Sequence, residues 1–266
     1  MPYRHAYLYI LALIPFIGLA FWPNFFSVFT TAPLSLHIHG LTATLWIGLL
    51  IHQSWTIHHG HNGLHRLGGS FSLLLFPAFM MGGFMVLQTM GQATAAGGHF
   101  VYSVYGGGLG FFDTLAIATF GWLYYSALRH RRAVQSHARY MLATPLLLFG
   151  PIFARIIPGF VPGLMIRGPE DLTNFATSLY IALAGALLVA VLLWLGDRKH
   201  GQAFLIVAVV TVLQIAGFAT VGNSQTWLDI YASFASLPEL VIAAAGLIAG
   251  VLVVWLGWTG GRRAKD

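Results

Sequence analysis

The sequence predicts an all-α integral membrane protein, a helical bundle of about eight transmembrane segments with both termini cytoplasmic. Three observations carry this expectation. Only 8% of the residues are charged while 58% are hydrophobic, against roughly a quarter charged in a domain whose surface faces water. Apolar runs close to the ~20 residues that cross a bilayer recur along the whole chain. Eleven of the thirteen Lys and Arg residues fall on one side when those runs alternate in direction.

The runs predict spans over about 6–22, 34–57, 70–90, 108–128, 140–157, 174–196, 202–221 and 238–258, within a single domain covering 1–266. The first run ends in Phe21-Trp22-Pro23-Asn24-Phe25-Phe26 with no small-residue cleavage site, so it is expected to remain as a span. Gly60, Asn62 and Gly63 break the chain after the second span. Gly82-Gly83 in the third, and Gly106-Gly107-Gly108 and Gly110 at the start of the fourth, allow close helix contact. Pro145 and Pro151 are expected to kink the fifth. The seventh follows the sixth across the short turn Lys199-His200-Gly201. Trp22, Trp122, Trp194, Trp255 and Trp258 stand near predicted ends, where indole rings anchor at the membrane interface.

With the amino terminus inside, the cytoplasmic side holds Arg4, Arg66, Arg129, Arg131, Arg132, Arg139, Arg198, Lys199, Arg262, Arg263 and Lys265, leaving Arg155 and Arg167 outside. An odd number of spans would carry the basic tail across, so the bias favours an even count. The sequence pI near 9.8 then reflects basic loops facing anionic headgroups rather than nucleic acid. The chain has no cysteine, which excludes disulfides, thiolate metal sites, iron–sulfur clusters and cysteine nucleophiles. It also has no phosphate-binding glycine loop, no Gly-x-Ser-x-Gly elbow and no His-Glu-x-x-His. Seven acidic residues supply a carboxylate-bridged di-iron centre poorly.

The twelve histidines are unevenly placed, and none follows His200. The histidine-bearing part is therefore about 1–157, and the helices over about 174–258 are histidine-poor. His52 lies inside the second span, and an imidazole within a span is costly and usually functional. Seven residues are nearly two turns, so His59 shares its face. His65 introduces the third span and His137 the fifth, which brings imidazoles from three helices to similar depth at the cytoplasmic side. Neutral imidazole ligates haem iron, non-haem iron, zinc or copper. The plainer account is that His58, His61 and His130 are solvated interfacial residues, and that His65 and His137 bond nearby backbone. On the opposite side His39, Asp113 and Arg155 form a second polar group at matching depth. An intramembrane Asp and Arg are expected to pair or to line a wet cavity.

Phe21-Trp22-Pro23, Leu36-His37-Ile38-His39-Gly40, Trp46, Gln53, Leu64-His65-Arg66-Leu67-Gly68 and His137-Ala138-Arg139-Tyr140-Met141, followed by Arg155, cover roughly residues 20–157. Together they resemble a group of bacterial polytopic membrane proteins with His-x-His-Gly, Leu-His-Arg-x-Gly and His-x-Arg-x-Met motifs. The resemblance implies a multi-pass protein of the bacterial inner membrane and carries no activity with it. A remoter likeness is to the small membrane cytochromes b, in which helix histidines clamp haem. Those proteins place paired histidines about fourteen apart on one helix. Here His39 and His52 are thirteen apart, on different faces, so one haem rather than two is expected.

The leading expectation is a membrane redox protein binding one haem b near the cytoplasmic face through two of His52, His65 and His137. It would exchange electrons with quinone or with another membrane subunit. The same residues with His59 could instead hold iron, zinc or copper. The rivals are a non-haem metal oxygenase or hydrolase acting on a lipid, and a non-catalytic transporter or accessory subunit of a membrane complex.

Overall fold

A computed structural model describes residues 3–97 and 99–261. Arg262, Arg263 and Lys265, which enter the orientation argument, lie outside the described residues. Among those described there is no strand. The α-helices are α1 (Ala6–Leu11), α2 (Leu13–Phe21), α3 (Leu34–His58), α4 (Asn62–Ala96), α5 (Phe100–Arg129), α6 (Val134–Ala143), α7 (Phe149–Phe160), α8 (Leu172–Gly196), α9 (Gln202–Ala219), α10 (Gln225–Ala235) and α11 (Glu239–Gly260). Among the described residues seven segments are long and apolar enough to cross a membrane: Ala6–Phe26, Leu34–His58, Asn62–Ala96, Val134–Phe160, Pro169–Gly196, Gln202–Asn223 and Glu239–Gly260. Leu74, Leu188, Leu240 and Trp255 are exposed on their outward faces, an apolar exterior that suits lipid. The chain reads as a multi-pass membrane protein.

Local chemistry sets the breaks. Pro15 has no N–H to donate to the Leu11 carbonyl, and the first segment divides there into α1 and α2. Gly60 (φ 77°) turns the chain between α3 and α4, and Gly97 (φ 64°) ends α4 in the left-handed conformation that side-chain-free residues adopt readily. The ring of His99 accepts from the Val101 N–H at 3.3 Å, capping the start of α5. Ser224 caps α10 in the same way through the Trp227 N–H.

The centre of the bundle is aromatic. Trp46 of α3, Phe76 and Phe79 of α4, and Phe120 and Tyr124 of α5 stack or meet edge-on, with the Phe76 and Tyr124 rings 4.2 Å apart. Helix α4 packs against both α3 and α11, and on the α11 side glycine makes this possible. A Cβ on Gly250 would lie 2.5 Å from the Pro77 Cα, and one on Gly246 would lie 2.8 Å from the Met81 Cα. Backbone approach of this kind is how helices associate where burial from water drives little.

Two expected spans are longer than the sequence indicates. The third is the 35-residue α4 and the fourth the 30-residue α5. In α5 the glycines lie inside the helix rather than at its start. Gly108 faces Phe218 and Gly110 faces Tyr231, and that packing holds a stretch of low helix propensity in place. Asp113, expected about one turn inside, therefore stands thirteen residues beyond Phe100, roughly 20 Å along the helix at 1.5 Å per residue. The expected fifth span is compound: α6, a 3-10 turn over Thr144–Leu148 holding Pro145, then α7 with Pro151 in its first turn. Helix α10 is an addition. It fills the loop before the last span and packs on α4 and α5.

Candidate functional site

At the end of the bundle that carries the α3–α4 and α5–α6 turns, a cavity of about 350 Å³ opens between α3, α4, α5, α6 and the end of α11. This basic end is where the sequence concentrates its histidines. Leu50, Ile57, Leu128, Met141 and Leu142 make the cavity mostly apolar. Tyr124 ties it to the aromatic core and shares a 2.7 Å hydrogen bond with Ser72. Arg66, Arg131, His58, His65 and His137 also line it, and among the described residues no Asp or Glu does.

The imidazoles around this cavity have defined orientations. His65 Nδ1 lies 3.2 Å from the Gln53 carbonyl oxygen of α3. His137 Nδ1 lies 2.8 Å from the Ala127 carbonyl oxygen of α5. A carbonyl can only accept, so each Nδ1 carries the proton and each Nε2 keeps its lone pair. Both bonds cross between helices, and so fix ring direction as well as tautomer. His58, His59 and His130 bond the carbonyls of Ser54, Trp55 and Ser126, each four residues back, at 2.7, 2.8 and 2.8 Å. The Trp55 and Ser126 carbonyls also accept the backbone N–H groups of His59 and His130, so these rings add a second donor at the last turns of α3 and α5.

Of the predicted site residues, the structure brings His65 and His137 to one cavity, within electrostatic range of each other. His52 is not on its wall. It sits in the α3–α4 seam, where a Cβ on Gly68 would lie 3.0 Å from its Nδ1. His59 turns away, stacking on Trp55 at 4.8 Å and meeting Tyr7 edge-on. Among the described residues no three His, Asp or Glu side chains gather closely enough to surround one metal ion. His52, His59, His65 and His137 are thus not assembled as a four-ligand set.

The other predicted polar group is looser than its depth in the sequence suggests. Arg155 donates to the Pro151 carbonyl at 2.7 Å and lies 4.9 Å over the Phe21 ring. It is within electrostatic range of Asp113 and Tyr102, yet among the described residues no direct ion pair joins Arg155 to Asp113. His39 stacks on Phe79 at 5.4 Å, its Nδ1 buried without a hydrogen-bond partner. Among the described residues Arg139 of α6 pairs with Asp197, which His200 also contacts at 3.2 Å. The pair ties α6 to the α8–α9 turn.

Sequence reading missed the other wall of the cavity. Gln53 Oε1, Ser54 Oγ and His58 Nε2 are buried without hydrogen-bond partners, and all three residues line it. The adjacent Gln53-Ser54 pair, one helical turn before His58, was the available signal. Compared with known protein families, with characterised proteins and with solved structures, the chain matches none.

Proposed function

We propose that this chain is a redox protein of the bacterial inner membrane that holds one b-type haem between His65 and His137. In this reading it crosses the bilayer eight times with both ends cytoplasmic, α5 being the crossing beyond the seven most apolar segments. The histidine cavity then opens on the cytoplasmic side. The observation that carries the reading is the shared geometry of the two imidazoles. They come from different helices, line one cavity, and have Nδ1 bound to a carbonyl and Nε2 available. Metal-bound histidines nearly always hold their second nitrogen in this way. The donor set is neutral and the walls are apolar, which suits a ferric or ferrous porphyrin better than a bare divalent ion. When bound, haem supplies one-electron chemistry. His65 and His137 would hold it and tune its potential through their Nε2 nitrogens, while the apolar wall would exclude water from its ring. Electrons would pass to or from quinone or a partner subunit.

The unpartnered Nε2 of His58 favours a second reading, a non-haem iron, zinc or copper ion on the same wall. That reading requires His58, His65 and His137 to move together. One experiment separates the two: a reduced-minus-oxidised visible spectrum, a pyridine haemochrome and metal analysis of the detergent-purified protein. The haem reading expects a b-type spectrum near one haem per chain, lost in His65→Ala and His137→Ala and kept in His61→Ala and His130→Ala. A colourless protein with stoichiometric metal favours the second reading. A wild-type protein with neither leaves an accessory-subunit role. A reporter fused after Asp266 should read cytoplasmic, and an external readout would overturn the orientation.

A further inference from the structure

We propose that the mouth of this cavity, with Arg66 as its principal cation, receives the carboxylate groups of the bound ring, fixing its acid edge toward the basic end of the protein. The inference rests on the haem reading and adds to it which way the ligand lies and what selects it.

Four observations carry it. Among the described residues the cavity wall holds two guanidinium groups, of which Arg131 is already engaged with the Leu128 carbonyl and the Trp258 ring, and no carboxylate, so Arg66 leaves its field favouring an anion. Those cations sit at one end only. Arg66 is in the first turns of α4, and Arg131 follows the last turn of α5 with its guanidinium 4.4 Å over the Trp258 ring. The deeper wall, from Leu50 and Leu142 down to Tyr124, has no charged side chain. Arg66 forms no hydrogen bond or ion pair with any described residue. A flat apolar ligand with acidic groups along one edge satisfies all of this at once, since its body covers the apolar wall and its carboxylates meet the guanidinium. Arginine matches a carboxylate with parallel N–H donors, so the contact also orients the ring.

The test uses the full-length protein in detergent, stripped of chromophore and titrated with haem b and with haem dimethyl ester, which keeps iron and ring but has no carboxylate. Wild type should bind haem b about tenfold or more tightly than the ester, which is the range of one charged hydrogen bond. Arg66→Gln should lose about that factor for haem b and little for the ester, so that its preference collapses. Because the ester reports on the intact pocket, a misfolded variant shows itself by losing both ligands, and Arg66→Lys then serves as the second variant. Arg66→Lys keeps the charge and should retain part of the preference, and its complete loss there would overturn the proposal. Equal binding of acid and ester by wild type, or an equal loss of both in a folded Arg66→Gln, would overturn the acid-edge inference and leave the haem reading standing. Failure of wild type to bind either porphyrin would overturn both.

Discussion

His137 donates its Nδ1 proton to the main-chain oxygen of Ala127, 2.8 Å away and ten positions earlier on the neighbouring helix. That bond spans the α5–α6 turn, holds α6 to the end of α5, and presents the opposite ring nitrogen as an acceptor. His65 repeats the arrangement across α3 and α4 with Gln53. Among the described residues the His52 ring makes no counterpart bond, although it lies deeper in its helix.

This difference yields the first prediction. His137→Ala should abolish bound chromophore, whereas His52→Ala should retain the wild-type spectrum within experimental error. Both variants need comparison by size-exclusion profile, so that loss of fold is not read as loss of ligand. Retention by His137→Ala with loss by His52→Ala would exchange their roles and remove the cavity from the argument.

The α4–α11 contact gives the second. A Cβ at Gly250 would meet the Pro77 Cα at 2.5 Å, which is backbone and cannot swing aside. Gly250→Leu should therefore destabilise the bundle by about 1–3 kcal/mol or more, the usual cost of overpacking. Gly185→Ala, where nothing lies within 4 Å, should leave the melting temperature unchanged or raise it slightly. Thermal unfolding in detergent reads both, and similar losses for the two would show that the contact is not tight.

A third concerns Asp197, which lies between α8 and α9. Burial opposes its charge, but hydrogen bonds from the His200 backbone and ring and the charge of Arg139 hold its carboxyl below the usual range. A carboxyl so lowered binds protons more weakly in the folded state than in the unfolded one. Its contribution is present above the unfolded value of roughly 4 and is lost as pH falls through the folded value. Melting temperature should thus drop as pH is lowered below about 4. In Asp197→Asn the protein should be weaker at neutral pH, with a shallower acid limb. An unchanged limb would assign the acid sensitivity to other carboxyls.

The fourth addresses Asp113 and Arg155. They share electrostatic range but form no direct pair, so a double-mutant cycle with Asp113→Asn and Arg155→Gln should show coupling clearly below the ~3–5 kcal/mol lost when a buried pair is broken. Coupling of that full size would mean that the two groups close on each other in the membrane.

The sequence by itself determined the class of protein and the end of the bundle where its polar chemistry gathers. Charge depletion and apolar runs of bilayer length act locally, one segment at a time, and the imidazoles of 52–65 and 130–137 follow from where those segments stop. His65 and His137 were legible as helix-start histidines for the same reason. What only the tertiary structure decided is which of them share a space. His52 and His65 are close in sequence, yet helix rotation puts one in the α3–α4 seam and the other on the cavity wall. Asp113 moved to the middle of α5 because glycines that weaken a helix in isolation are held helical by Phe218 and Tyr231, partners more than a hundred residues away. The Gln53-Ser54 pair before His58 hinted at a polar wall, but that Gln53, Ser54 and His58 lack partners could not be read, since a missing hydrogen bond belongs to the packed whole and to no single stretch of chain.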